Sequence, residues 1–303
     1  MTVSIIMPIY NRVRYLPSAL KSIYAQDYDD YDVVVVDDGS QEDVQAALEQ
    51  HRRRDKPPVR YIRQDNRGPA GARNHGVKEA RGEVIAFHDS DDEWSPDFLS
   101  RTMAYIDSGL YDWVSTAGLR IALDENEEET GRRLIPNEPD EDFRALFLRA
   151  LEYNSMGGPS QNVLKKICFE KNGYFREDLR IRDDWEMWLR LLQAGYRLKI
   201  IPEPLYHYKI RSDSITKTSV HTGLRNTHTV LRQYRDYALT LDPAFRGKYA
   251  ELIWNIARHL KNRGISDPLL FFNCVVESAR VDFNLKRMLK SARSVVSGKA
   301  QTT

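Results

Sequence analysis

Four short clusters in this sequence hold residue types that could do chemistry. The densest is Asp89-Ser90-Asp91-Asp92, with three carboxylates in four residues. Carboxylates this close repel one another unless a cation sits among them. A hard divalent cation takes oxygen ligands and commonly bridges to substrate phosphates. The alternative is a solvated turn that caps the next helix, since Asp favours turns. The second cluster, Asp37-Asp38-Gly39-Ser40, follows a valine run. A carboxylate there can accept hydrogen bonds from a nucleobase N–H or a ribose hydroxyl. Alternatively the segment is a plain strand–helix junction with Ser40 as N-cap. The third, Gly68-Pro69-Ala70-Gly71-Ala72-Arg73-Asn74, puts small residues at a helix start. A ligand could approach the backbone amides there, the helix N-terminus favours an anion, and Arg73 adds a fixed charge. A tight loop with a solvent-facing Arg73 is the other reading. The fourth is Arg182-Asp183-Asp184. Asp184 is either an N-cap or a carboxylate placed to take a hydroxyl proton.

The elements that must position these clusters follow from hydrophobic periodicity. Buried strands are expected at residues 3–7, 33–36 and 84–87, a further strand at 59–63, and helices at 14–26, 44–53, 69–81 and 96–107. Such alternation implies an α/β fold, a mostly parallel sheet flanked by helices on both faces. Ligands in that architecture bind beyond the carboxyl ends of the strands. Asn11 and the clusters at 37–40 and 89–92 fall at those ends. The acidic stretch 124–130 predicts a loop or mobile insertion. A helix is expected at 140–151, and a polar segment with Gly and Pro spans 154–161. Trp185, Trp188, Leu189 and Leu192 stripe a helix over 185–194 that Gly195 stops. Two short strands, 198–201 and 205–210, come next. Beyond about residue 220 the pattern is helical, with breaks at Pro243, Gly264 and Pro268. The expected division is an α/β domain at 1–218 and a helical module at 219–303.

Bulk properties exclude some functions. Lys plus Arg number 45 against 44 Asp plus Glu in 303 residues. So balanced a chain has no field that would attract nucleic acid. The two cysteines, Cys168 and Cys274, form no ligand pair and read as reduced, packed thiols. The apolar N-terminus is short and lacks a basic leader. No window reaches the roughly 20 apolar residues needed to span a bilayer. A cytoplasmic protein is expected, with peripheral membrane contact through residues 283–297. There Leu285, Met288, Leu289, Ala292, Val295 and Val296 share one helical face, and Lys286, Arg287, Lys290 and Arg293 lie largely on the other. The alternative is that this helix packs on its own tail or on a second subunit, as in a homodimer.

Taken in order, the clusters resemble one family. Pro8-Ile9-Tyr10-Asn11, Val36-Asp37-Asp38-Gly39-Ser40, Gly68 through Asn74, Asp89-Ser90-Asp91-Asp92 and Asp183-Asp184-Trp185…Trp188-Leu189-Arg190 look like the family 2 glycosyltransferases with the GT-A fold, over roughly residues 2–216. The resemblance implies inversion at the anomeric carbon, a Mn²⁺ or Mg²⁺ cofactor, and a nucleotide-diphosphate sugar donor carrying UDP or dTDP. It implies a carbohydrate or lipid-linked acceptor, as in surface polysaccharide or glycoconjugate synthesis. Carried over by position, Pro8 and Tyr10 flank the base, Asp38 bonds the nucleoside, and Arg73 lies near the nucleotide. Asp89 approaches the ribose or donor sugar, Asp91 ligates the metal, and Asp184 is the catalytic base. Asp183 stands where Glu is more common. Many relatives carry a His in a Tyr-Arg-x-His pattern after the following strand; here Tyr208-Lys209-Ile210-Arg211 puts Arg211 at that place. Arginine cannot ligate a metal but can clamp a diphosphate bidentately. His207 is out of register and reads as structural. Two other functions compete. A sugar-phosphate nucleotidyltransferase favours a Gly-rich phosphate loop after the first strand, and Tyr10-Asn11-Arg12-Val13 has no Gly. A non-catalytic sugar-nucleotide-binding module would not need Asp91 and Asp184.

Overall fold

A computed structural model describes residues 1–53, 55–137, 142–211 and 219–281. The helix expected at 283–297 lies outside the described residues. The chain divides into two compact units, Met1–Gly223 and Leu224–Thr303.

The first unit is built on one nine-stranded sheet with the path β3-β2-β1-β4-β8-β6-β9-β5, and β7 paired to β6. β1 (Val3–Ile9), β2 (Tyr31–Asp37), β3 (Val59–Arg63) and β4 (Val84–Phe87) are mutually parallel. The apolar runs of β1, β2 and β4 are nearly continuous because parallel strands are covered on both faces, whereas β3, VRYIR at the sheet's edge, is only half-buried. β8 (Asn162–Lys165) runs against both β4 and β6 (Trp113–Leu123). β9 (Leu198–Ile210) is parallel to β6, and the two-residue β5 (Glu93–Trp94) is antiparallel to β9. The sheet is therefore mostly parallel, as the alternation of elements implied.

Side-chain alternation sorts the two faces. Val3, Ile5, Met7 and Ile9 of β1 join a core with α1 (Leu16–Tyr24), α2 (Val44–His51) and α4 (Phe98–Asp107). Ile6 points to the other face, against α3 (Gly68–Glu79). On that face Phe87 meets Phe169 of α6 (Ile167–Asn172) and Phe175, and Phe175 meets Trp188 of α7 (Asp183–Gln193) edge-on. Pro8 lies past the last β1–β4 pair, Ile6↔Phe87. Its missing N–H costs no ladder bond on that side.

Several expectations need correction. The acidic stretch at 124–130 is the tip of a hairpin, and β7 (Glu129–Ile135) begins inside it. β7 is exposed along nearly its whole length. A one-sided exposed strand needs few apolar residues, so its composition mimics a loop. The two short strands after Gly195 are one strand, with register shifts where Pro204 meets Ala117. A proline is tolerated at such a bulge because no ladder donor is required there. Ser40 does not cap α2; Asp43 does, accepting from Ala46 N–H at 2.9 Å.

The second unit holds α8 (Val220–Leu241, entering from the first unit), α9 (Arg246–Asn262) and α10 (Pro268–Val281). Its core takes Leu231, Tyr234 and Ala238 from α8, Tyr249, Ile253 and Ala257 from α9, and Leu270 and Cys274 from α10. Among its carboxylates Asp267 is buried, and the half-buried Glu277 accepts from Tyr249 OH at 2.7 Å and pairs with His228 at 3.0 Å. Cys168 and Cys274 are buried and free, and burial pushes both thiols up to about 12. Among the described residues no helix is long and apolar enough to cross a membrane.

α3 lies flush on the sheet because Gly76 has no side chain. A Cβ there would meet Ile6 Cγ2 at 2.3 Å and Val36 Cγ2 at 3.2 Å. Overpacking of this kind costs about 1–3 kcal/mol, partly offset by the better helix propensity of alanine. Gly76→Ala should lower the urea midpoint. Gly131→Ala, where nothing lies within 4 Å, should not. Equal midpoints for Gly76→Ala and the parent would show that this contact does not set the packing of α3.

Candidate active site

The site forms beyond the carboxyl ends of β1, β2 and β4. After β1, Tyr10 is 46% exposed and Asn11 adopts a left-handed φ of 50°. Asn11 N–H donates to Ser40 Oγ at 3.0 Å, and Asn11 Oδ1 accepts from Gln41 N–H at 2.8 Å. These bonds clamp the β1 loop to the β2 loop, and this is the role of Ser40. Asp37 is fully buried and accepts from Ser40 N–H, Tyr61 OH and Arg63. Asp38 is also buried, and its carboxylate accepts from Gln64 Nε2 at 2.7 Å, Arg67 N–H at 2.9 Å and Gly68 N–H at 2.8 Å. Amides at the start of α3 that could hold a ligand anion are thus taken by the chain's own carboxylate. A carboxylate accepts about four hydrogen bonds, so Asp38 keeps roughly one for a nucleoside.

The aspartates after β4 divide by direction. Asp89 is anchored by its N–H to Ser160 Oγ at 3.0 Å, with its carboxylate 2.9 Å from Arg73 Nη2. Asp91 faces Arg12 Nη1 at 3.4 Å. The side chains of Asp89 and Asp91 are each 27% exposed. Asp92 turns inward, accepting from Tyr206 OH at 2.5 Å and Lys209 N–H at 3.2 Å. Partial burial, then the charge of Asp89, raises the Asp91 carboxyl above its ordinary value. His88, which sequence reasoning passed over, sits behind them with Nε2 2.9 Å from Ser22 Oγ and Nδ1 3.0 Å from the Asp89 carbonyl. Burial pushes it down to about 4, so it is neutral at pH 7.

Arg73 is not solvent-facing. It is 7% exposed and bridges Asp89 at 2.9 Å and Asp183 at 3.2 Å. Burial opposes its charge, but Asp89 and Asp183 overcome that and hold the proton more tightly than usual. Arg182, at a left-handed φ of 76°, is the N-cap residue of α7. Asp183 and Asp184 occupy the helix's first turn, so the N-cap reading of Asp184 is corrected. Carboxylates are favoured there by the helix dipole. Asp184 Oδ1 accepts from Trp185 N–H at 2.8 Å, and Oδ2 from Asn154 Nδ2 at 3.1 Å. Asn154, also bonded to the Gly157 carbonyl at 2.9 Å, had no signal in the sequence beyond lying in a polar segment. Burial raises the Asp184 carboxyl and pushes Asp183 up to about 7, with Arg73 opposing.

Arg211 ends up beside Asp91. Its Nη1 donates to the Asp91 carbonyl at 2.9 Å, and its guanidinium lies 4.0 Å from the Tyr15 ring centre. Its remaining edge forks onto Glu127 at 2.7–2.9 Å. Arg12 and Arg14 stand 5.6 and 4.6 Å from the same ring. His207 is half-buried on β9, and burial lowers its pKa. Among the described residues no three His, Cys, Asp or Glu side chains converge as a metal cage. Two partly open carboxylates at a strand end still suit a cation that keeps several waters and completes its shell with substrate phosphate, as Mg²⁺ does.

Residues 4–172 match the family model described as Glycosyl transferase family 2. Succinoglycan biosynthesis protein ExoO of Rhizobium meliloti is 32% identical over 283 residues, 89% of this chain and 75% of that protein. Uncharacterised glycosyltransferases of Rickettsia also match, and the chain spans only 29–30% of their length. Among solved structures, S. aureus TarS 1-349 in complex with UDP-GlcNAc superposes with a TM-score of 0.68 at 22% identity, covering 93% of this chain and 81% of that one. Mannosyltransferase PcManGT of Pyrobaculum calidifontis, in complex with GDP-Man and Mn²⁺, gives 0.62 at 16% identity, covering 98% and 88%.

Removing the buried cation tests the network. Arg73→Gln leaves Asp183 beside Asp89 with no counter-charge. Breaking a buried pair costs about 3–5 kcal/mol. Asp183 already has a raised pKa. Without Arg73 it rises further, so the folded state favours the protonated carboxyl. The stability that protonation supplies is present at low pH and lost as pH rises through the raised value. Urea denaturation should therefore show a larger deficit at pH 8 than at pH 5. A deficit independent of pH would mean that Arg73 serves packing alone.

Proposed function

The chain belongs to glycosyl transferase family 2, and from that premise we propose that it moves a sugar from a UDP or dTDP donor to an acceptor hydroxyl, with inversion. The observation that carries this reading is the Arg73 bridge. It ties Asp89, whose neighbour Asp91 is the other partly open carboxylate at this strand end, to Asp183 at the start of α7. One site thereby holds a carboxylate fit to take a proton and carboxylates fit to hold a cation.

In this reading Asp184 is the base. Trp185 N–H and the Asn154 amide fix its two oxygens. Burial raises its proton affinity, which makes it a better base than an exposed aspartate. The acceptor hydroxyl gives its proton to Asp184 as its oxygen bonds to the anomeric carbon and the bond to the diphosphate breaks. Because no enzyme carboxylate attacks the sugar, one displacement occurs and the configuration inverts. Asp91, supported by Asp89, would hold Mn²⁺ or Mg²⁺, whose charge, when bound, offsets that of the departing diphosphate. Arg211 and Arg12 add cationic side chains at that end, and Tyr10 and Pro8 form the lip where a base could lie.

A role in polysaccharide assembly is supported by the ExoO relationship, and the acceptor we infer is a carbohydrate or a lipid-linked glycan. Peripheral membrane contact through residues 283–297 would suit the lipid-linked case. A nucleotidyltransferase has less support, since the turn after β1 is not a phosphate loop but is clamped through Asn11 to Ser40.

The test is donor turnover across UDP-, dTDP- and GDP-sugars with Mn²⁺ present. Asp184→Asn should lose about 10²–10⁴ in transfer rate while still binding UDP. Asp91→Asn should abolish the metal-dependent rate without unfolding the chain. If Asp184→Asn loses activity only in proportion to its lower melting temperature, the base assignment fails. Unchanged Mn²⁺ dependence in Asp91→Asn removes the metal assignment.

A further inference from the structure

The proposed reaction gives no role to the carboxylate of Glu127. Glu127 belongs to the tip of the β6–β7 hairpin, 84 residues from Arg211 in sequence, yet its carboxylate accepts three hydrogen bonds from that guanidinium. The tip is shaped to present it. Asp124 Oδ1 accepts from Asn126 N–H and Glu128 N–H at 2.9 Å each, and Glu127 N–H donates to the Asp124 carbonyl at 3.2 Å. Glu127 itself adopts φ 62°, a left-handed conformation that a side-chain-bearing residue seldom takes. Such strain persists only where the surroundings impose it.

The guanidinium beneath is committed on its other sides. Nη1 donates to the Asp91 carbonyl at 2.9 Å, and Tyr15 covers one face at 4.0 Å. The Arg211 side chain is 5% exposed, while that of Glu127 is 48% exposed. The anion therefore sits at the mouth and the cation below it, directly beside Asp91. A fork of donors that fits a carboxylate also fits a phosphate.

We propose that Glu127 is the resident anion of the donor-diphosphate subsite, and that a nucleoside diphosphate binds by displacing it from Arg211. This rests on reading Arg211 as the diphosphate clamp. The hairpin tip then acts as a latch: it keeps the buried guanidinium paired between turnovers and opens when a stronger anion arrives. A ligand that needs a minor open state binds more weakly by the fraction open. Deleting the latch anion removes that penalty for diphosphates and leaves nucleosides unaffected.

Calorimetry with the full chain and Mg²⁺ decides it, using UDP, inorganic pyrophosphate and uridine as probes. Glu127→Gln should bind UDP and pyrophosphate about tenfold tighter than the parent, as for a latch closed nine-tenths of the time. Uridine affinity should not change, and Glu128→Gln should behave as the parent. Glu127→Gly, which suits the left-handed backbone, guards against misfolding and should show the same tightening. Equal or weaker UDP binding in both Glu127 variants overturns the latch. If Arg211→Ala still weakens UDP but not uridine, the clamp reading survives that failure. If neither the parent nor the variants bind UDP or pyrophosphate, both readings fall together.

Discussion

The site depends on the ion triad that Arg73 makes with Asp89 and Asp183. Its partners lie 16 and 110 residues away in sequence, at the end of β4 and the start of α7. A guanidinium buried this deeply is costly unless its charge and donors are matched. Two carboxylates and the Phe175 ring, 5.9 Å away, match its charge and both terminal nitrogens, while its buried Nε–H finds no acceptor among the described residues. The helix that carries Arg73 must also lie close to the sheet. Gly76 permits that, since a Cβ there would stand 2.3 Å from Ile6 Cγ2 of β1. The small residues and the buried cation are thus one device: close packing delivers Arg73, and Arg73 joins the two acidic edges of the site.

The aspartates come in doublets, and in two of them the labour is divided. Asp92 is held by Tyr206 and Lys209 N–H, which leaves its neighbour Asp91 directed outward. Asp183 is held by Arg73, which leaves Asp184 to meet Asn154. One member of each pair is absorbed by the fold, and the other is presented. The Asp37–Asp38 doublet departs from this rule. Both its members are absorbed, the first by Tyr61 and Arg63 and the second by the start of α3. Asp38, with three bonds accepted, still has room for roughly one more.

Much of this architecture was legible because local periodicity and the fold agree. β3 and β4 begin and end where the alternating segment at 59–63 and the apolar run at 84–87 do. The strand-end positions of the acidic clusters followed from the same pattern. What stayed hidden is whatever depends on a partner distant in sequence. Asn154 finds Asp184 across 30 residues, and Glu127 finds Arg211 across 84. Neither spacing leaves a periodic trace. The stretch at 124–130 misled because an exposed hairpin and a mobile acidic loop share a composition; only pairing with β6 separates them. Ser40 misled for a related reason. A hydroxyl at a strand–helix junction can cap the helix or tie down a loop, and here the nearby Asp43 caps while Ser40 holds Asn11.

Charge runs across the site in one direction. At one end Arg12, Arg14 and Arg211 gather around Tyr15. At the other, Asp183 and Asp184 sit in the first turn of α7 with Arg73 beneath them. In the proposed displacement, negative charge grows on the diphosphate while a proton leaves the acceptor. Both changes are assisted by that gradient: the cationic end stabilises the departing anion, and the raised proton affinity at Asp184 accepts the proton. The opposite polarity would hinder each step. A fixed field of this kind needs rigid supports, and each charged group has one. Tyr15 carries the arginines, Asp92 steadies Asp91, and Asn154 with Trp185 N–H steadies Asp184. Preorganisation therefore resides in neutral and spent residues around the reacting ones, which explains why so many polar groups here are buried without facing a substrate.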